Sequence, residues 1–376
     1  MKDNITLSLF MSNGVGLWNW YRIGSIDREL ILYKRLNKMG IKVKIFSYDR
    51  TKKVPLLHFP AQVITQWPFI LPRRLNFLYF LGLPFIHYMK GIKSDVIITN
   101  QAHMGWPALW ASKIWKKPLI ARSGYVFGEQ AANLALDGRK VFLRKFLECW
   151  VYRGANIVIV PTNELKKWLI KNYFIPSKKI IVIPNYVDTE LFIPSYNYMW
   201  KNKIIMVGRF DPVKRQELVI KALAGSDIEL ILIGRGILKE SLKRIAKENK
   251  VRLNIIENVP NPNLPKYLNE ADIFIISSKL EGHPKALIEA MSCGLPCIGT
   301  NSPGIKNVIT DGVNGLLVEA VPEAIREAIN KLRADIELRR KLGSNARITA
   351  CQNFSLTKIV SKYYQVITNL VGKGSL

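Results

Sequence analysis

The chain alternates between strand-length apolar runs and longer runs with helical spacing, and it does so in two separate series. In the first, strand-like runs at residues 5–10, 43–47, 63–66, 96–99, 119–121, 157–160 and 180–183 are separated by helical patterns at 26–39, 75–89, 106–115, 140–153 and 163–172. The second has strand-like runs at 203–207, 229–233, 253–256, 273–276, 297–299 and 315–318. Parallel strands need crossovers of a dozen or more residues, usually helices, so this order predicts α/β layers with helices on both faces of parallel sheets.

With 376 residues the chain exceeds a single hydrophobic core, which favours two domains. Residues 183–188 close the first series, and 194–200 lack any periodicity. The expected division is a first domain at 1–193, a linker at 194–202, a second domain at 203–355 and a last helix at 356–376.

At 48% apolar residues, with no long low-complexity tract, the chain reads as globular throughout. The first twelve residues hold one apolar strand, too short for the core of a secretory leader. Residues 54–72 lack charge but carry Pro55, Pro60, Pro68 and Pro72, which break a spanning helix. Residues 75–89 are apolar, short and interrupted by Pro84, and read as a buried helix. Cys149, Cys293, Cys297 and Cys351 are scattered without a paired His or Cys cluster; they suit core positions in a reducing compartment, and no metal site is expected.

The net charge is +28, and residues 1–190 carry 29 Lys/Arg against 11 Asp/Glu, a surplus of 18. Such an excess suits a polyanion, either nucleic acid or an anionic membrane, although solvated lysine faces produce the same balance. No RNA- or DNA-binding module and no interleaved aromatic–basic platform is recognisable, so nucleic acid is not expected as a partner. Trp67, Phe69, Ile70 and Leu71 beside Arg73 and Arg74 suit a membrane interface, and equally a domain core.

Chemistry concentrates between Ser278 and Ala290. Glu281 should lie in a strand-to-helix loop, with Glu289 eight positions on, one to two turns inside the helix. A helix start at the end of a buried strand favours anions, and a carboxylate accepts from two vicinal hydroxyls at once. Pro284 suits the first helical turn, where its missing N–H is harmless. Earlier, Gly208-Arg209-Phe210-Asp211-Pro212-Val213-Lys214 follows a strand and combines close backbone approach with two cations, which suits a diphosphate. Gly234-Arg235-Gly236 is a tight turn after the next strand and lacks the third glycine of a dinucleotide fingerprint.

The Glu281-x7-Glu289 spacing, followed by Ala290-Met291-Ser292-Cys293-Gly294-Leu295-Pro296, resembles the signature of the retaining glycosyltransferases of family 4, which have the GT-B fold. That resemblance implies two Rossmann-like domains facing across a cleft, with the last helix returning to the first domain. It implies transfer of a sugar from a nucleoside-diphosphate sugar to a glycan or lipid-linked acceptor, without a cofactor, in cell-surface polysaccharide synthesis. The enzyme is expected in the cytoplasm, peripherally on the inner face of the membrane. Arg209 and Lys214 would hold the pyrophosphate in place of a metal, Glu281 would face the transferred sugar, and Glu289 would take the ribose hydroxyls. Gly208 and Gly234 would admit the donor, Val259 in the segment Asn258-Val259-Pro260 would lie against the base, and amides from His283 through Pro284, Lys285 and Ala286 would meet hydroxyls or phosphate. His283 stands where the family usually has an aromatic residue, and Lys285 adds charge.

In the first domain Gly24 and Ser25 correspond to the family's glycine loop, with Gly14-Val15-Gly16 as a further close-approach candidate. Where the family often carries a His this chain has Ser123, so Arg122 or Ser123 would stand in; His103 is another candidate. A sugar-nucleotide epimerase of the same fold remains an alternative, as does a basic nucleic-acid-binding protein.

Overall fold

The computed structural model describes residues 5–373 apart from 13–15, 56–57, 67, 69–70, 134–135, 137, 196–198 and 258. The chain divides into two compact units: Met1–Ile183 with Val360–Leu376, and Pro184–Ile359.

In unit 1 the strands are β1 (Thr6–Phe10), β2 (Lys42–Phe46), β3 (Ala61–Ile64), β4 (Val96–Thr99), β5 (Leu119–Arg122), β6 (Ile157–Val160) and β7 (Ile180–Val182). They form one parallel sheet in the order β3-β2-β1-β4-β5-β6-β7. Its helices are α1 (Leu17–Arg22), α2 (Ile26–Lys38), α3 (Asn76–Ile86), α4 (Tyr88–Gly91), α5 (Trp106–Trp115), α6 (Phe127–Asn133), α7 (Arg139–Gly154) and α8 (Asn163–Tyr173). Helices cover both faces, so a central strand such as Val96–Thr99 is buried throughout and reads as an unbroken β-branched run. Phe10 stacks on Phe46 at 4.4 Å between ring centroids, and burying each such ring stabilises by about 1.5–3 kcal/mol. Helix α2 buries Leu30, Tyr33 and Leu36 at helical spacing and places Arg35 and Lys38 in its last turn, where cations oppose the helix dipole.

Unit 2 has strands β8 (Lys203–Val207), β9 (Glu229–Ile233), β10 (Arg252–Ile256), β11 (Ile273–Ile276), β12 (Cys297–Thr300) and β13 (Leu316–Val318), parallel in the order β10-β9-β8-β11-β12-β13. Its helices are α9 (Gln216–Ala222), α10 (Lys239–Glu248), α11 (Leu264–Asn269), α12 (Lys285–Ser292), α13 (Pro322–Ala334) and α14 (Ile336–Asn353). Helix α15 (Leu356–Lys373) starts in unit 2 and from Val360 onward belongs to unit 1. Both units are doubly wound, Rossmann-like α/β layers, as the alternation predicts.

Three local differences have physical causes. Residues 184–193, read from sequence as the end of the first domain, pack in unit 2, where Val187 pairs with Ser355 and Phe192 joins the core. In the expected linker, the Ser195 amide binds Asn269 Oδ1 at 3.1 Å, while 196–198 lie outside the described residues. The apolar run 75–89 is not a buried helix: it forms α3 and α4, and Phe77, Leu78, Leu81 and Phe85 are exposed. Hydrophobic content alone did not reveal that its inner face is already filled by Tyr79, Phe80 and Leu83. Among the described residues no helix is long and apolar enough to cross a membrane.

Candidate functional site

In unit 2 the connections from β8 run outward in one direction and those from β11 in the other, so the strand order reverses between these neighbours. Loops leaving the C-terminal ends of strands at such a reversal open a crevice for ligands. A pocket of about 290 Å³ lies there, lined among others by Gly208, Phe210, Lys214, Ser277, Ser278 and Glu281. A larger depression of about 410 Å³ lies at the opposite, N-terminal ends of β11 and β12, beside Asp272 and Pro296. The guanidinium that lines it, Arg339, is committed to the carbonyls of Leu332 and Arg333, so the first pocket is the candidate site.

The pocket's charged centre is a pair. Lys214 Nζ stands 2.5 Å from Glu281 Oε1, and Ser278 Oγ donates to the same oxygen at 2.6 Å. Both loops are pinned. Ser277 Oγ lies 2.8 Å from the Lys214 carbonyl and Arg215 Nε donates to the Ser277 carbonyl at 3.0 Å, tying the lysine loop to the end of β11. The Glu281 amide donates to the Pro303 carbonyl at 3.0 Å. Gly304 adopts φ +84°, and a Cβ there would come within 2.2 Å of the Glu281 carbonyl oxygen. Gly234, at φ +147°, is pressed against the Gly208 loop so closely that a Cβ would sit 1.9 Å from the Gly208 carbonyl oxygen. Only glycine fits both needs at each position.

Arg209 is 80% exposed and, among the described residues, pairs with Asp211 at 3.1 Å. An exposed pair of this kind is worth about 0–1 kcal/mol, so the guanidinium is readily surrendered to a stronger anion. Glu289 sits in α12 at 1% exposure, with Oε1 accepting from Asn261 Nδ2 at 2.9 Å. The carboxylate thus lies beneath the loop where Val259 packs on the core formed partly by Leu287 and Ala290. Asn258 lies outside the described residues.

At the start of α12, Pro284 is the N-cap and Lys285 the first helical residue, followed by Ala286. The His283 carbonyl accepts from Asn185 Nδ2 at 2.8 Å, and its ring meets Phe354 edge-on at 5.0 Å. Burial first, and Lys285 second, push the His283 imidazole down to about 3, so it is neutral near pH 7. Lys285 Nζ lies 5.7 Å above the Tyr186 ring. Asn261 was not singled out from sequence, because its bond to Glu289 spans 28 residues and leaves no local pattern. Asn185 was read only as part of the segment closing the first series, and Ser278 only as the start of the Glu281 stretch, although its bond to Glu281 is three residues away.

Unit 1 treats its candidates differently. Gly24, at φ +67°, and Ser25 join α1 to α2, with the Ser25 amide donating to the Trp20 carbonyl at 2.9 Å. Arg122 is buried, and its Nη1 donates to the Asn100 carbonyl at 3.1 Å; Ser123 Oγ accepts from the Ala102 amide at 2.9 Å. Both therefore shape the loop after β4. His103, in that loop, stacks on Phe127 at 5.9 Å and is pushed down to about 4 by burial. Gly14 and Val15 lie outside the described residues, whereas Gly16 precedes α1, whose Leu17 amide donates to Asp49 Oδ2 at 2.8 Å.

Comparison with known proteins agrees with this geometry. The family model for glycosyl transferases group 1 matches residues 189–349, and that for Glycosyltransferase Family 4 matches residues 30–191. A UDP-Gal:alpha-D-GlcNAc-diphosphoundecaprenol alpha-1,3-galactosyltransferase of Escherichia coli is 26% identical over 306 residues, covering 75% of this chain and 77% of the relative. An N-acetylgalactosamine-N,N'-diacetylbacillosaminyl-diphospho-undecaprenol 4-alpha-N-acetylgalactosaminyltransferase of Campylobacter jejuni is 27% identical, covering 90% of this chain and 95% of the relative. Among solved structures, a sucrose-phosphate synthase from Thermosynechococcus elongatus superposes with TM-score 0.80 at 21% identity, over 98% of this chain and 100% of the other. The Anabaena protein HepE, in complex with UDP and glucose, superposes with TM-score 0.78 at 20% identity, over 96% and 99%. With both units doubly wound and the two family models together spanning residues 30–349, the chain belongs to the group 1 glycosyltransferases and has the GT-B fold.

Proposed function

We propose that this protein transfers a sugar from a nucleoside-diphosphate sugar to a lipid-linked or glycan acceptor, retaining the anomeric configuration and using no metal ion or cofactor. The observation that carries this reading is the Lys214–Glu281 pair at the strand reversal of unit 2. In it the donor diphosphate displaces Glu281 from Lys214 and recruits Arg209. These cations neutralise the leaving group as negative charge grows on it, which lowers the barrier electrostatically. Glu281, held by Ser278, then faces the sugar, and the amides of 283–286 meet its hydroxyls or the phosphate. Glu289 exchanges Asn261 for the ribose hydroxyls, Gly208 and Gly234 allow close backbone approach, and Val259 lies against the base. In unit 1, Gly24, Ser25, Arg122 and Ser123 shape the loops of the acceptor side. Lipid-diphosphate acceptors appear in the names of two relatives, which supports a lipid-linked acceptor and work at the inner face of the cytoplasmic membrane in surface-polysaccharide synthesis.

The test is turnover of a panel of UDP-, GDP- and ADP-sugars with polyprenyl-diphosphate-linked sugars in EDTA, with the product's anomeric configuration read by NMR. The reading expects an α-linked product from an α-linked donor. An inverted product, or activity restored only by a divalent metal, contradicts it.

A further inference from the structure

Helix α7 presents its apolar stripe outward. Phe142, Phe146 and Trp150, four positions apart, are 73%, 59% and 43% exposed, while the inner face buries Glu148, Val151 and Tyr152. Helix α3 repeats the pattern with Phe77, Leu81 and Phe85, also four apart and exposed. Helix α5 packs against both, and its Trp110 Nε1 donates to the Leu81 carbonyl at 3.0 Å, so the three helices form one layer of unit 1. Soluble monomers rarely leave apolar surface of this extent uncovered.

The charges around the stripes select what covers them. Helix α7 also carries Arg139, Lys140, Lys145 and Arg153, of which Arg139 and Arg153 share the helix side of the rings by spacing, while Arg144 sits over the Phe127 ring at 5.7 Å. Its single acid, Glu148, is buried and occupied by the amides of Phe127 and Gly128 and the Tyr173 hydroxyl. Arg74 stands one turn before Phe77. A second copy of this chain would bring cations against cations, whereas an anionic lipid surface supplies phosphates for the cations and an acyl boundary for the rings. We propose that the α3–α5–α7 layer of unit 1 docks on an anionic membrane, with the Phe142–Phe146–Trp150 stripe entering the headgroup region. This rests on the lipid-linked acceptor reading and gives it a surface. It differs from the stretch beside Arg73, of which Trp67, Phe69 and Ile70 lie outside the described residues.

The experiment is sedimentation of the full chain with vesicles of phosphatidylglycerol in phosphatidylcholine, and with phosphatidylcholine alone, at low and high salt. Wild type should bind only the anionic vesicles, and less at high salt. Phe142→Ser/Phe146→Ser and Arg139→Glu/Lys140→Glu should each weaken binding about tenfold or more, with unchanged thermal midpoints. Phe77→Ser/Phe85→Ser provides the same readout should the α7 variants misfold. Absence of binding to anionic vesicles overturns the proposal, as does wild-type binding by folded variants. It is equally overturned if the variants convert a dimer to monomer, by sedimentation velocity, without loss of vesicle binding. A UDP, GDP or ADP thermal shift on the same samples separates the two readings: a retained shift without vesicle binding removes the docking surface alone, and vesicle binding without any shift removes the catalytic reading alone.

Discussion

Lys214 Nζ and Glu281 Oε1 meet at 2.5 Å, joining the loop after β8 to the loop after β11 where the strand order reverses. The two side chains are 67 residues apart in sequence, and both are largely shielded from solvent. In the proposed reading, a lysine that releases its partner when a diphosphate arrives and a carboxylate thereby freed toward the sugar make a single device. Its two halves should fail differently.

Replacing Lys214 with Ala removes charge that counts most when the leaving group is most negative. The turnover number should fall more than KM rises, by about one to two orders of magnitude in kcat. Steady-state kinetics decide it: a change confined to KM would show that the lysine only binds.

Glu281→Gln should abolish most transfer while nucleotide binding persists, because the uncharged isostere keeps its shape and its contact with Ser278. Calorimetric titration with the nucleotide, run beside the transfer assay, separates the two effects. Equal loss of both would place the carboxylate in donor binding.

Ser278→Ala removes a hydrogen bond to that carboxylate, a contact worth about 1.5–3 kcal/mol when one partner is charged. The Ser278 carbonyl remains anchored by Ser302 Oγ at 2.7 Å, so the loop should keep its path. The expected result is about a tenfold fall in kcat at near-constant KM, with the pH–rate profile displaced; an unmoved profile would leave Ser278 a purely structural role.

Gly234→Ala should destabilise unit 2 by about 1–3 kcal/mol, since the new Cβ meets the Gly208 carbonyl at a φ that side chains rarely adopt. A lowered thermal midpoint together with lost nucleotide binding is expected. Unchanged values of both would mean that the two loops are not held in contact.

Acid should weaken the fold through its buried histidines. Burial pushes His283 down to about 3 and His87 and His103 down to about 4, below the ordinary value of 6.5. The unfolded chain then takes up protons that the folded chain refuses, so stability is full above about pH 6.5 and falls as pH drops toward those lower values. His283→Phe keeps an aromatic ring against Phe354 and should reduce, without abolishing, the drop in thermal midpoint between about pH 7 and pH 4.5. An identical acid dependence in the variant would clear His283 of any part in it.

Much of this architecture was legible because period and length sufficed. The run from Val96 to Thr99 and the helix from Trp106 to Trp115 need no distant partner to be recognised, and the turn around Gly282 and Pro284 marks where β11 gives way to α12. Helices α1 and α6 were missed because their starts are held from afar: Asp49 takes the Leu17 amide 32 residues away, and Glu148 takes the amides of Phe127 and Gly128. The α3 helix was misjudged because composition gives hydrophobicity but not which face another element covers. At the site, the Gly208–Lys214 and Glu281–Glu289 stretches were visible as local motifs. Asn261 and Asn185 were not, since a hydrogen bond across 28 or 98 residues leaves no mark on spacing, while Ser278, three residues before Glu281, was readable only as the start of that stretch.

The central claim is that unit 2 grips a nucleoside diphosphate through Lys214 without a metal. Thermal shift with UDP, GDP and ADP in EDTA tests it most directly, because a ligand at 100 times its Kd adds about 2.7 kcal/mol of stability. One of the three nucleotides should raise the midpoint of the wild type and of Glu281→Gln, and raise that of Lys214→Ala by clearly less. A nucleotide shift of full size in Lys214→Ala, or no shift in the wild type until a divalent metal is added, would contradict it.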